Sequence, residues 1–181
     1  MFFSKKSEYY KGILVKADQS LHDQVANIIK SLKTKNYNLL DFGAGEGAFS
    51  QRMFDHGYKV TSIDLEDKNF KAKTDFYKID INSLSLDDKF ISKHINFFDI
   101  VVSLEVIEHI ENHFHFVKIL KTLCRENGYI IITTPNIHSW FSRITFLFNG
   151  KFAQFEDSDL SYGHINPVYI QTMHSILKKE N

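Results

Sequence analysis

Five apolar runs of strand length, residues 37–42, 58–64, 76–81, 97–104 and 128–134, recur along the chain, with helical periodicity before the first and between several of the others. Runs this short and this apolar suit strands that are buried on both faces. Strands of that kind, joined through helices, form a parallel sheet covered on each side. The spacing therefore predicts an α/β fold, a doubly wound and mainly parallel sheet of about five strands. Ser20 is the candidate N-cap of a helix over 20–34, whose Leu21, Val25, Ile28, Ile29 and Leu32 make one apolar stripe. Further helices are expected over 46–55, closed by His56 and Gly57, over 110–126, and over 168–179.

With 181 residues, 43% of them hydrophobic and 24% charged, the chain has the balance of one globular domain with a real core. Its formal net charge is zero, so no global field steers it to nucleic acid or an acidic membrane. Residues 1–35 carry seven Lys against three acidic residues, which reads as a solvated face. Cys124 is the single cysteine and falls inside an expected helix, which excludes an internal disulfide framework or cysteine zinc site and fits a reducing compartment. The start, MFFSKKSEYYKG, is too short in apolar residues for a signal peptide, and no run approaches a membrane span. A cytoplasmic protein is expected.

In doubly wound sheets the ligand sits beyond the carboxyl ends of the strands, which is where the stretch LLDFGAGEGAFS, residues 39–50, places its glycine turn. Gly43-Ala44-Gly45-Glu46-Gly47-Ala48 satisfies the dinucleotide fingerprint with Ala in the last place, and Asp64 follows about 20 residues on. A nicotinamide or flavin enzyme is one reading. Charge favours another, because unpaired carboxylates at Asp41 and Glu46 oppose a pyrophosphate at a helix N-terminus. S-adenosylmethionine, with a sulfonium and an ammonium near its amino-acid end, suits an acidic glycine turn, while backbone N–H groups meet its carboxylate.

LLDFGAGEG resembles the first motif of class I S-adenosylmethionine-dependent methyltransferases, the acid in YKVTSIDL their second, and FFDIVVSLEVIEHI their fourth, with KIDI between them. The resemblance covers roughly residues 20–180. It implies that Asp41, Gly43, Ala44 and Gly45 line the methionine part of the cofactor and that Asp64 binds both ribose hydroxyls. Leu65 would pack on the adenine, Asp80 and Ile81 would border its other edge, and Leu104 would flank the methionine chain. In this reading 1–181 is a single domain: an N-terminal helical segment to residue 35, a cofactor-binding core over 36–134, and an acceptor-side insertion with the last helix over 135–181.

The chemistry belongs after the fourth strand. Glu105, Glu108 and His109 have i, i+3, i+4 spacing and share one face if the segment is helical. Methyl transfer is an in-line displacement that needs alignment and removal of the acceptor's proton. His109 is the candidate base because imidazole titrates near neutrality. Glu105 is the second catalytic candidate, and Glu108, Trp140 and His164 are candidates to contact the acceptor. The same E-x-x-E-H, completed by His164, resembles the divalent-metal ligands of small-RNA 3'-terminal ribose methyltransferases. It also resembles the O-methyltransferases of ubiquinone biosynthesis and is widespread among small-molecule enzymes, so no metal is assigned. His113 and His115 read as solvated.

After Thr134-Pro135-Asn136, the side chains of Trp140, Phe141, Ile144, Phe146, Leu147 and Phe148 make a helix apolar almost all round, which must bury itself. A lid over an aromatic or lipid-like acceptor, an interface, and packing on the same domain all satisfy that demand. Thr134-Pro135-Asn136, this insertion and Gly163-His164-Ile165 resemble methyltransferases of quinone, methionine-pathway and surface-polysaccharide metabolism, in which His164 would face the acceptor. One departure is the absence of the family's usual C-terminal β-hairpin. A homo-oligomer or another partner covering the edge of the fifth strand is one way to fill its place. The expected function is methyl transfer to oxygen of a small molecule. The alternatives are an RNA ribose methyltransferase with a divalent metal, a nicotinamide-dependent oxidoreductase, and a non-catalytic cofactor-binding subunit.

Overall fold

The apolar runs pair as parallel strands, with burial complete over 98–104 and 39–42 at the centre of the sheet and only partial at its edges. The computed structural model describes residues 7–18, 20–32, 37–153, 155 and 165–179. It opens with a hairpin that the periodicity does not announce, β1 (Tyr9–Tyr10) against β2 (Ile13–Leu14), turning through Lys11 and Gly12 at positive φ. Two-residue strands carry no readable alternation. Next comes α1 (Leu21–Ser31), which buries Val25, Ala26 and Ile29. Ser20 does precede it, but in the left-handed region and without a side-chain cap; its hydroxyl oxygen instead accepts from Gln24 Nε2 at 3.1 Å. Ile28, counted on the apolar stripe, is 54% exposed because the buried face centres on Val25, Ala26 and Ile29.

The core then runs β3 (Asn38–Phe42), α2 (Ala48–Asp55), β4 (Lys59–Asp64), β5 (Asp75–Lys78), α3 (Lys89–Lys93) and β6 (Phe98–Leu104). A 3-10 turn (Ile107–His109), α4 (His113–Leu123), β7 (Cys124–Thr133), α5 (Trp140–Asn149) and α6 (Ile170–Lys179) complete it. Strand order is β5-β4-β3-β6-β7, with every pairing in this sheet parallel. All seven residues of β6 are buried, as are the last four of β3. Alternate side chains serve opposite cores: Leu39, Ile100 and Val102 meet α1 and α2, while Leu40, Phe42 and Val101 meet α3, α4 and α6. The expected doubly wound sheet is present. Its order reverses between β3 and β6, which opens a crevice at their carboxyl ends.

Several boundaries differ from those expected. β5 stops at Lys78, so Asp80 and Ile81 lie in the connection beyond it. α4 starts at His113 because the Asn112 side chain accepts from the His115 N–H at 3.0 Å. Cys124 begins β7 rather than lying within a helix. The register of β6 with β7 slips between Phe98 and Ile100, beside Asn127 at positive φ. β7 is an edge strand among the described residues. No helix of the described residues is long and apolar enough to cross a membrane.

Candidate functional site

The glycine turn after β3 folds back onto β4. The N–H groups of Gly43 and Ala44 both donate to the Ile63 carbonyl at 2.9 Å, Gly45 N–H donates to Asp64 Oδ2 at 2.7 Å, and Gly47 N–H donates to the Ala44 carbonyl at 2.9 Å. Gly43 sits at φ +94, and a Cβ built there would lie 2.3 Å from Val106 Cγ2. Two effects therefore require glycine, backbone conformation and the close approach of Val106. Gly57, at φ +88 with nothing within 4 Å of its missing Cβ, isolates the first. Gly57→Ala is expected to cost about 1–2 kcal/mol, and Gly43→Ala about 1–3 kcal/mol more, in urea unfolding. Equal losses in the two variants would remove Val106 as the reason for Gly43.

Charge at the turn differs from the sequence-based expectation. Asp41 is only 2% exposed and accepts from Ser50 Oγ at 2.5 Å, and Ser50 Oγ in turn accepts from Ser62 Oγ at 2.9 Å. Burial pushes the Asp41 carboxyl up to about 7 despite that bond. Glu46 pairs with Lys71 at 3.2 Å and with Lys16 at 3.9 Å. Neither acid is the unpaired surface charge expected. The N–H groups of Gly43, Ala44, Gly45 and Gly47 are already committed to Ile63, Asp64 and Ala44, which leaves the turn fewer donors for a pyrophosphate than the fingerprint implies.

Beyond the turn lies a cleft of about 430 Å³, within the range of small-molecule sites. Gly43, Gly45, Asp64, Leu65, Asp80, Ile81 and Leu104 line it, together with Glu105 and His109. Asp41 and Ala44 line an adjoining inner recess that shares Gly43, Gly45 and Leu104 with the cleft. The structure thus brings together every residue that the resemblance assigns to the cofactor. Asp64 is held by two backbone donors, Gly45 N–H on Oδ2 and Glu66 N–H on Oδ1 at 3.1 Å. Asp80 caps its own turn, accepting from Asn82 N–H at 3.0 Å. Asn82 then bridges to the far wall, donating to the His109 carbonyl at 3.3 Å and accepting from Glu111 N–H at 3.1 Å. Sequence reasoning missed Asn82, Leu14, Lys16 and His22 as wall residues. Only the position of Asn82 beside KIDI offered a signal for any of them.

The segment after β6 is not an α-helix, so the i, i+3, i+4 argument fails. Glu105 stands at φ 54, its N–H donates to the Thr133 carbonyl at 3.2 Å, and its Oε1 accepts from Thr133 Oγ1 at 3.0 Å. Glu105 and His109 face the cleft, whereas Glu108 turns inward and is 0% exposed. Neither Glu108 carboxyl oxygen nor Thr134 Oγ1 makes a hydrogen bond of full geometry among the described residues, although the Thr134 hydroxyl stands near enough to the carboxyl to favour its charged form slightly. Burial pushes the Glu108 carboxyl up to about 8, and the charge of Glu105 adds to the rise. The Glu108 carbonyl accepts from the N–H groups of Ile165 and Asn166, each at 3.1 Å. Glu108, expected to contact an acceptor, is thus buried behind the cleft and does not line it. Among the described residues, no group of three or more His, Cys, Asp or Glu side chains is placed to hold a metal ion. His164 lies outside the described residues.

His113 and His115 are half-buried rather than solvated. His115 Nε2 sits 2.8 Å from the Leu84 carbonyl oxygen, and burial holds His113 below the ordinary imidazole range. Trp140 lines neither cavity and is 79% exposed. α5 forms as expected, with Ser139 accepting from Ser142 N–H at 3.1 Å, but it does not bury itself: Phe141, Leu147 and Phe148 are each more than 70% exposed.

A family model described as a methyltransferase domain matches residues 15–181. The ubiquinone biosynthesis O-methyltransferase of Pelagibacter ubique is 34% identical over 122 residues, 61% of this chain and 50% of that protein. The enzyme of the same name from Rickettsia typhi is 31% identical over 144 residues, 75% of this chain and 56% of that protein. The chain spans about half the length of the curated relatives it matches. Among solved structures, a SAM-dependent methyltransferase from Archaeoglobus fulgidus superposes with a TM-score of 0.63 at 20% identity, covering 88% of this chain and 68% of its own. At that identity the likeness establishes the fold.

Proposed function

The chain belongs to the methyltransferase domain family, and on that premise we propose that it binds S-adenosylmethionine in the cleft and methylates an oxygen of a small molecule. The observation that carries this reading is Asp64, a carboxylate held at the carboxyl end of β4 by two backbone donors and facing the cleft beside the glycine turn. Its acceptor oxygens suit a ribose diol. Leu65 and Ile81 supply apolar walls for a base, and Asp80 borders the same end. The names of the relatives support oxygen as the receiving atom.

S-adenosylmethionine supplies an activated methyl group on a sulfonium. The protein's part is placement and proton removal. His109 faces the cleft and takes the acceptor's hydroxyl proton. Glu105, fixed against Thr133, lines the same cleft and places a carboxylate on its wall. Asn82, bonded to the His109 carbonyl, fixes the backbone of the base.

Calorimetric titration with S-adenosylhomocysteine, and in parallel with NADH, tests the reading. Binding of the thioether alone is the expected result. NADH binding without it would restore the nicotinamide reading, and a folded chain that binds neither would remove the cofactor assignment. His109→Ala should leave S-adenosylhomocysteine affinity unchanged and lower turnover on a dihydroxybenzene acceptor by roughly 10²–10⁴. Equal loss of binding and turnover would make His109 structural.

A further inference from the structure

Asp41 is the inner end of a file of hydroxyls that crosses from the ligand recess toward the rear of the sheet. Ser50 Oγ donates to Asp41 Oδ2 at 2.5 Å, Ser62 Oγ lies 2.9 Å from Ser50 Oγ, and Thr74 Oγ1 lies 2.8 Å from Ser62 Oγ. Ser50 belongs to α2, Ser62 to β4, and Thr74 directly precedes β5. Both serines are 0% exposed, in an interior where a hydroxyl is unfavourable unless it is bonded. Thr74 is partly buried and lines a second cavity beside Tyr58, Lys59 and Val60 at the other end of β4.

The carboxyl sets the direction of these bonds. Ionised, Asp41 only accepts, so Ser50 gives it its one proton, Ser62 must donate to Ser50, and Thr74 must donate to Ser62. Every hydroxyl then turns its hydrogen toward Asp41, and each bond polarises the next. A protonated Asp41 demands no such order. The file therefore favours the charged carboxyl, against the burial and the Asp64 charge that favour the neutral one. No other element brings an unbalanced charge: β6 sets Val102 opposite Asp41, Glu46 at the recess is paired with Lys71 and Lys16, and burial holds His22 down at about 4, neutral at pH 7.

We propose that Ser50, Ser62 and Thr74 are positioning residues that hold Asp41 charged for the ammonium of the ligand's amino-acid end. The proposal rests on the cofactor reading above and extends it to residues that line neither the recess nor the cleft. With the Asp41 carboxyl at about 7, about half of the unliganded protein at pH 7 holds a proton there, which an arriving ammonium expels. Calorimetry at pH 7 in buffers of different ionisation enthalpy counts that proton. S-adenosylhomocysteine should release about half a proton more than 5'-methylthioadenosine, which keeps the nucleoside and thioether and lacks the amino-acid end. Ser50→Ala should bring the difference close to a whole proton, weaken S-adenosylhomocysteine roughly tenfold and leave 5'-methylthioadenosine unchanged. Ser62→Ala and then Thr74→Val should move the same readings in the same direction by successively less. Thr74→Val alters only the partly buried outer end, so the test survives a serine variant that fails to fold. The same proton count in wild type and variants, or equal weakening of both ligands, would make the file a packing network and overturn the proposal. If the unmodified chain binds neither ligand, the cofactor reading falls and takes the proposal with it.

Discussion

Asp64→Ala should weaken S-adenosylhomocysteine binding by about 1.5–3 kcal/mol, the range for a hydrogen bond to a charged group, or roughly ten- to a hundredfold in Kd. Asp64 is also a structural acceptor, since Gly45 N–H and Glu66 N–H both donate to it. The substitution therefore removes a ligand contact and an anchor of the turn together. Asp64→Asn divides these contributions, because the amide oxygen keeps one acceptor and the negative charge is lost. Asparagine should recover part of the unliganded unfolding midpoint, since one of the two backbone N–H groups still loses its acceptor, and a smaller part of the affinity. Calorimetry paired with thermal unfolding of the unliganded chain reads both. Unchanged affinity in Asp64→Ala would discard the ribose assignment, and a loss fully restored by asparagine would assign Asp64 to the turn.

The parts legible in the sequence are those where one local pattern admits one packing solution. β3 and β6 are apolar on both faces, so no solvent-facing position suits them, and their burial follows. The glycine turn and Asp64 were legible for a related reason: in a parallel pair, the end of one strand fixes the height of its neighbour, and Phe42 stands opposite Ile63. Lys16 was not legible, because the hairpin that carries it has strands of two residues and is held by side-chain bonds to α2. In the E-x-x-E-H segment the residue types were read and their geometry was not. Positive φ at Glu105 breaks the helical spacing, and nothing in a glutamate announces that. Charge state was equally hidden, since Asp41 and Glu46 look alike in the string while one is buried against a serine and the other is paired with lysines.

Glu108 turns that hidden burial into a dependence of stability on pH. Its carboxyl titrates near 4.5 in the unfolded chain and at about 8 in the folded one. Below the first value both states hold the proton and burial carries no penalty. Between the two the folded state holds more protons, so stability falls as pH rises, and above the second the full penalty is present. Its upper bound is about 4–5 kcal/mol at 1.36 kcal/mol per pKa unit. Asp41, raised to about 7, adds a decline of the same sign over a lower window, so the wild-type curve slopes through both. Glu108→Gln keeps the shape of the side chain and removes its ionisation. It should be near neutral at acidic pH and progressively stabilising toward pH 8, with the gap constant beyond, in urea unfolding at several pH values. A constant offset at every pH would mean that Glu108 is charged in the fold, with partners other than the described residues. A widening gap would mean that the turn carrying His109 stands on a neutral acid, so that alkaline pH loosens the support of the proposed base before it reaches the base itself.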